Sequence, residues 1–251
     1  MKISVLSSGS KGNTTYIESN NTKILIDMGN TSKYVKEKLE DFGVKPDELD
    51  AILITHTHVD HVKGLKVFDK KYNVPVYVTE IMYKELDFLN NYVFLMDEFD
   101  IKDIHINAIK TSHDSNDSRG YIISDESSSI VYITDTGYIN KKYFDILTNK
   151  DLYVMESNHD VEMLNNSKYP FSLRQRILSD KGHLSNYDSS KYLCSFIGEN
   201  TKYILLAHLS EENNTEELAY KTLVSKLNEE NIQFSNIIIT KQNIETELIS
   251  I

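Results

Sequence analysis

The segment AILITHTHVDHVKG, residues 51 to 64, places four side chains able to bind a metal, His56, His58, Asp60 and His61, within six positions. Imidazole nitrogens and carboxylate oxygens are the donors that catalytic zinc accepts, at about 2.0 to 2.2 Å. The apolar run before them predicts a buried strand, so the polar residues fall where that strand ends. His56 and His58 can face one ion if the backbone stays extended, whereas Asp60 and His61 lie beyond a turn. A lone histidine is usually a packed or surface residue. Three of them interleaved with an aspartate directly after a strand point to a metal instead.

Three further candidates also follow strand-like runs: His113 in IKTSHDSND after IHINAI, Asp135 in SIVYITDTG, and His208 in YILLAHLS. Singly, each has a plainer explanation. Asp135, which precedes Thr136 and Gly137, could form a turn, and His208 could cap a helix. Their common place after strands is what would let all of them converge on one sheet edge.

The elements that must do this positioning are legible as short β-branched runs: KISVL, TTYIE, KILIDMG, AILITH, VPVYVT, IHINAI, GYIISD, SIVYITDTG, LYVMES, KYILLAHL and NIIIT. Most are bounded by Gly, Asn, Asp or Ser, as strands are. Helical spacing appears over 31–43, with a glycine stop, over 63–72, over 185–197, and over 215–229, opened by a threonine. With three prolines and no Gly/Ser-rich or single-sign tract, nothing reads as an interdomain linker. The expectation is one domain, 1–251, of two sheets covered by helices.

Composition sets the wider bounds. Hydrophobic residues make up 40% and charged residues 26%, which is ordinary for a folded domain. The first residues are too short an apolar run for a secretory signal, and no later run approaches the roughly 20 residues of a membrane span. The single cysteine, Cys194 in KYLCSFI, reads as a small buried hydrophobe, and the expected compartment is the cytoplasm. A net charge of −11 should repel polyanions unless bound metal or a local cationic surface reverses the field.

The H-x-H-x-D-H spacing after a strand resembles the signature of the metallo-β-lactamase superfamily, and His113, Asp135 and His208 extend the match over almost the whole chain. The resemblance implies an α/β fold, an αββα sandwich of two mixed β-sheets flanked by helices, with a two-metal site at the sheet edge. It assigns His56, His58 and His113 to one divalent ion, Asp60, His61 and His208 to a second, and Asp135 to both. Zinc is the expected metal, and manganese or iron would also suit these donors. Two dications against two carboxylates would leave the site about two units positive, with an ionised water between them. SSGSKGN, LYVMESNHDVEMLNNSKYPFSLRQRILSDKGHLSN and LLAHLSEENNT narrow the resemblance to the YycJ or WalJ group. Membership of that group implies a DNA exonuclease acting from the 5′ end.

A second likeness, to ribonuclease Z and its relatives, implies that Glu156 orients His183, which protonates the leaving oxygen, while Asp60 positions the attacking hydroxide. An alkoxide leaving group needs such a proton. Read without the family, Glu156 could be a strand-end carboxylate and His183 a neighbour of a helix cap. The glycine- and proline-rich arm that grips transfer RNA has no counterpart between Asp135 and Glu156, and the inserted domain of the β-CASP nucleases is also missing. Candidate substrate contacts are Ser8 and Asn13 in a loop whose N–H groups could cradle phosphate, together with Asn158, Arg174 and Arg176. A plain hairpin turn is as good an explanation of the loop. Lys168, Arg174, Arg176 and Lys181 with Tyr169 and Phe171 could track a nucleic-acid backbone, or form the solvated face of an amphipathic helix. His159 has no defined role, and His105, alternating with Ile104 and Ile106, reads as structural.

The leading expectation is a metal-dependent phosphodiesterase, a 5′ to 3′ DNA exonuclease. One rival is a small-molecule hydrolase of a cyclic phosphodiester, lactone or thioester, which the net charge favours. The other is a regulatory protein that keeps the fold without catalysis. Oligomeric state is not readable.

Overall fold

Runs of two to seven residues rich in β-branched, aromatic and other apolar side chains recur along the chain because each can bury a pleated face, and together they build two seven-stranded sheets. The structure is a computed structural model describing residues 1–251. The first half contains β1 (Lys2–Ser7), β2 (Thr14–Glu18), β3 (Lys23–Ile26), α1 (Ser32–Asp41), β4 (Ala51–Leu53), α2 (Val59–Val62), α3 (Leu65–Tyr72), β5 (Val76–Val78), α4 (Glu80–Tyr83) and β6 (Tyr92–Phe94). The second contains β7 (Glu98–Ile101), β8 (Ile104–Lys110), β9 (Arg119–Ser124), β10 (Ser129–Ile133), α5 (Phe144–Leu147), β11 (Leu152–Glu156), α6 (Val161–Asn165) and α7 (Phe171–Ile177). It continues with α8 (Asn186–Phe196), β12 (Tyr203–Ala207), α9 (Glu216–Glu229), β13 (Ile237–Ile239) and β14 (Ile249–Ser250).

One sheet runs β14-β1-β2-β3-β4-β5-β6 and the other β13-β12-β11-β10-β9-β8-β7. Each is mixed. Pairing is antiparallel from β1 to β3 and from β7 to β10, then parallel from β3 to β6 and from β10 to β13. Period-two alternation sends Ile3, Ile17, Ile24, Ile106, Tyr121, Val154 and Leu205 into the space between the sheets. The opposite faces bury Leu25 and Ile52 against Val35, Leu39 and Phe68 of α1 and α3, and Tyr153 and Leu206 against Leu193, Phe196 and Leu223 of α8 and α9. Helices therefore cover both outer faces, and the architecture is the αββα sandwich. Strands such as β4 and β11, apolar on both faces, read as continuous hydrophobic runs for this reason.

Every strand expected from the sequence is present, and the long helices differ by one or two residues at their ends. Thr31, Ser185 and Thr215 cap α1, α8 and α9 by accepting from the backbone N–H three residues on. Three edge strands, β6, β7 and β14, were not expected. The stretch read as a basic cluster contains the short helix α7. Cys194 is half-buried on α8 rather than fully buried. His105 points outward from β8 and bonds Asp100 across the β7–β8 ladder at 2.7 Å, away from any site. No helix is long and apolar enough to cross a membrane.

Candidate metal centre

The parallel strands of both sheets end on the same side of the sandwich, and the chemistry-bearing residues lie just past those ends. β4 leads into Thr55–His61, β8 into His113, β10 into Asp135 and β12 into His208, while Glu156 is the last residue of β11. The two sheets are pinned there: the Tyr121 hydroxyl donates to the Ile54 carbonyl at 2.5 Å, and Arg119 N–H to the Thr55 carbonyl at 2.8 Å. Asp27, Asp135 and His208 all adopt left-handed backbone, with φ of 61°, 55° and 57°. Asp and His tolerate that region better than most residues, and it turns each side chain off its strand toward the common point. Gly29 is required beside them, because a Cβ there would lie 1.7 Å from the Asp60 carbonyl oxygen.

His56, His58 and His113 form one cluster. His113 Nδ1 lies 3.1 Å from the Gly182 carbonyl, to which it donates, which leaves Nε2 facing His58 Nδ1 at 3.2 Å. His56 Nδ1 lies 3.1 Å from the Thr55 hydroxyl, and its Nε2 is buried with no partner. Asp60, His61 and His208 form the second cluster. Asp60 Oδ2 lies 3.6 Å from both His61 Nε2 and His208 Nε2. Asp135 stands between the clusters: Oδ2 is 3.2 Å from His61 Nε2, and Oδ1 is 3.8 Å from His113 Nε2 and 3.3 Å from His208 Nδ1. All seven residues expected to ligate are thus gathered at one place.

These donors fit divalent cations. Three of them, His56 Nε2, Asp135 Oδ2 and His208 Nε2, are buried polar atoms without a hydrogen bond, which a folded protein rarely leaves so unless something else satisfies them. Burial alone would drive protons off His61 and His208. The neighbouring carboxylates win, with Asp27 and Asp135 holding His61 well above the ordinary imidazole range, and Asp135, Asp60 and Glu156 holding His208 up to about 10. A field that retains protons so firmly is one that favours metal cations at the same nitrogens.

Two residues that sequence reasoning missed adjoin this set. Asp27, wholly buried after β3, accepts from His61 Nδ1 at 2.7 Å and from the Thr55 N–H and hydroxyl at 2.8 Å. Such a carboxylate fixes a ligand histidine's tautomer and raises its basicity. Asp114 Oδ1 lies 3.4 Å from His113 Nε2 and 3.7 Å from His58 Nε2, while its other oxygen bonds Arg176. With these carboxylates and Glu156 counted, the site is far less positive when metallated than the expected two units. The only sequence signal for Asp27 was an aspartate at a strand end before Met28 and Gly29, and for Asp114 its adjacency to His113.

Glu156 and His183 meet beside the clusters. Glu156 is fully buried; its Oε2 accepts the Thr136 and Leu184 N–H groups at 2.9 and 3.3 Å. Its Oε1 lies 2.7 Å from His183 Nδ1 and 3.3 Å from His208 Nδ1, so one oxygen serves two imidazoles. Burial lowers the His183 pKa, but Glu156 and then Asp135 outweigh it and raise the pKa overall. His183 lines the cavity in front of the clusters, about 250 Å³ in volume.

The expected substrate contacts separate into two groups. Asn158, Arg176 and Tyr169 line that cavity, as do Ser10 and Ser210. Ser8, Asn13 and Arg174 do not. The Ser8 hydroxyl accepts the His208 N–H at 2.8 Å, and Asn13 Nδ2 donates to Asp60 Oδ2 at 3.3 Å and lies 3.0 Å from His61 Nε2. Both are buried and hold candidate ligands in place. The N–H groups of Ser8, Gly9, Lys11, Gly12 and Asn13 are already bonded within the protein and cannot cradle a phosphate. Arg174 turns away to the Asn165 carbonyl and the Phe171 ring. His159 is buried, both ring nitrogens lack partners, and burial pushes its pKa down to about 4; nothing in the structure assigns it a role.

The profile of the family described as the Metallo-beta-lactamase superfamily matches residues 8–183. The chain is 40% identical over 236 residues to the exodeoxyribonuclease WalJ of Streptococcus pneumoniae, covering 90% of this chain and 88% of that protein. It is 36% identical over 237 residues to the exodeoxyribonuclease YycJ of Bacillus anthracis, covering 91% and 90%. Among solved structures, the metallo-β-lactamase fold protein YhfI from Bacillus subtilis superposes with a TM-score of 0.75 at 18% identity, over 98% of each chain.

Proposed function

The chain belongs to the metallo-β-lactamase superfamily of metal-dependent hydrolases, and from that premise we propose that it is a DNA exonuclease working in the 5′ to 3′ direction. The choice of DNA is supported by identity of 36 to 40% to two exodeoxyribonucleases across nine-tenths of the chain. The choice of a phosphodiester is supported by the Glu156–His183 pair at 2.7 Å beside the clusters.

His56, His58 and His113 would hold one cation, Asp60, His61 and His208 a second, and Asp135 both; zinc is the metal these donors favour, with manganese and iron as alternatives. Bound there, the cations would lower the pKa of a water and screen the phosphoryl charge. Asp60, partly exposed and held by Asn13, orients the attacking water. His183 carries a proton at Nε2, with Nδ1 donating to Glu156, and passes it to the departing alkoxide oxygen, which an unassisted phosphodiester expels poorly. Glu156 stabilises the charged imidazole before transfer and keeps its ring aimed at the cavity. Asn158 and Arg176 contact the substrate.

Degradation of end-labelled DNA with manganese or zinc tests the proposal, label position giving polarity. Asp60→Ala and His183→Ala should each abolish turnover or reduce it by about a hundredfold or more, and undiminished activity in both would remove the mechanism. A second reading, hydrolysis of a small phosphodiester, draws on the net charge of −11 and the modest 250 Å³ cavity. Cleavage of bis(p-nitrophenyl) phosphate with DNA left intact would favour it.

A further inference from the structure

Among the residues lining the cavity, Arg176 is the only side chain with a fixed positive charge, and it shares the walls with Asp60, Asp114 and Asp135. It projects from the last turn of α7, more than half exposed, and donates its Nε–H to Asp114 Oδ2. No protein group takes up its two terminal nitrogens. The other oxygen of Asp114 faces His113 Nε2 and His58 Nε2, at 3.4 and 3.7 Å. One carboxylate therefore spans the gap between the first histidine cluster and the guanidinium.

We propose that Arg176 and Asp114 form a phosphoryl subsite beside the metal centre, in which Arg176 grips phosphate oxygens through its terminal nitrogens and Asp114 is the positioning residue that aims it. This inference rests on the phosphodiesterase reading of the site. A guanidinium carries five N–H donors in a rigid fork. Engaging Nε alone leaves four of them, and one from each terminal nitrogen forms the end edge that matches two phosphate oxygens; such paired charge-assisted bonds are among the strongest available to a protein. An exposed arginine without Asp114 would have to lose its rotamer freedom on binding. With Asp114 in place that loss has already occurred on folding, and the fork is registered against the histidines. Lysine cannot substitute, because an ammonium has no second donor edge to offer once Asp114 is engaged.

The test uses the full chain loaded with manganese, in the wild type, Arg176→Ala, Arg176→Lys, Asp114→Ala and the double variant. Binding of inorganic phosphate is measured by calorimetry, steady-state kinetics on bis(p-nitrophenyl) phosphate and on DNA, and bound metal by elemental analysis. Arg176→Ala and Arg176→Lys should weaken phosphate binding and raise KM by about tenfold to a hundredfold, the range for hydrogen bonds to charged groups. Their kcat should fall by less than about threefold, as when binding common to ground and transition states is removed. Asp114→Ala should give a smaller loss of the same kind with metal content unchanged, and the double variant should be no worse than Arg176→Ala, because coupled residues are not additive. Unchanged phosphate affinity in Arg176→Ala, additive losses, or metal loss in Asp114→Ala would each overturn the proposal. Should the wild type leave DNA intact while phosphate and the small diester behave as expected, the nuclease reading fails and the subsite stands.

Discussion

Glu156→Gln is the substitution that most directly interrogates the shared carboxylate. The side chain is isosteric, yet its environment is built entirely of donors: two backbone N–H groups reach Oε2, and His183 and His208 reach Oε1 through their Nδ1 atoms. The glutamine oxygen must go to the backbone pair, since those protons cannot move. The amide NH2 then faces both imidazoles and can be accommodated only if each Nδ1 becomes an acceptor. That transfers the remaining ring proton to Nε2. At His183 the proton stays on the catalytic nitrogen, but the ring is then a neutral imidazole, a far weaker acid than the imidazolium that Glu156 holds. At His208 it lands on the buried Nε2 that would bind metal. Loss of a charged hydrogen bond costs about 1.5 to 3 kcal/mol, so kcat on DNA at saturating metal should fall about 10- to 150-fold. Metal affinity should fall about 10- to 100-fold, as when a ligand's supporting partner is changed. Chelator competition measures the second effect, and end-labelled DNA the first. p-Nitrophenolate leaves without protonation, so at saturating metal bis(p-nitrophenyl) phosphate should be spared most of the kcat loss. Equal kcat losses on both substrates, or metal affinity within threefold of wild type, would refute the reasoning.

Asp27→Asn should weaken metal binding by about 10- to 100-fold without disturbing the backbone, because Asn tolerates the φ of 61° found there; unaltered affinity in chelator competition would discard the role given to Asp27. Asp125→Asn should lower Tm near pH 7 by about 2 to 4 °C, the shift expected for about 1 kcal/mol in a chain of this size. Burial would raise the Asp125 pKa, but the Ser127 and Ser128 N–H groups, the Ser128 hydroxyl and the N-terminal ammonium outweigh it and bring it to about 2. A depressed carboxyl pKa contributes stability above its unfolded value near 3.8 that is lost as pH falls toward about 2. The Tm gap between wild type and variant should therefore close on acidification, and a pH-independent gap would contradict this. Single-stranded DNA binding should depend weakly on salt, with a log–log slope of about −0.7 to −1.4 for one or two phosphate contacts; a slope several times steeper would demand a cationic surface that the cavity lacks.

The candidate ligands were legible because few residue types bind metal and four such residues crowd into His56–His61, where chance explains little. Asp135 and His208 were legible because each follows an apolar run, and parallel strands must end on a common edge. The left-handed turns that bring Asp27, Asp135 and His208 together leave no such trace, since Asp and His are also ordinary loop residues. Asn13 and Ser8 misled for a related reason. A Ser-Gly-Ser turn offers N–H groups in the sequence, but whether they are free depends on partners far away, here Asp60, Lys241 and Gln242. β6 escaped because it is exposed at every residue and carries no alternation to read.

The charge inventory explains how a chain of net −11 can be expected to act on a polyanion, and on which part of it. Asp27, Asp60, Asp114, Asp135 and Glu156 supply five negative charges at the site, so two dications and Arg176 would bring it only to about neutral. Lys168, Arg174 and Lys181 lie outside the cavity lining, which leaves Arg176 as the one fixed cation among the side chains that line it. A long internal stretch of DNA would carry phosphates past the cavity on both sides, against the field of a chain of net −11. A strand terminus presents such phosphates on one side only and needs only the contacts that the cavity provides. The same net negative charge that opposes grip on the middle of a polymer therefore favours attack from its end.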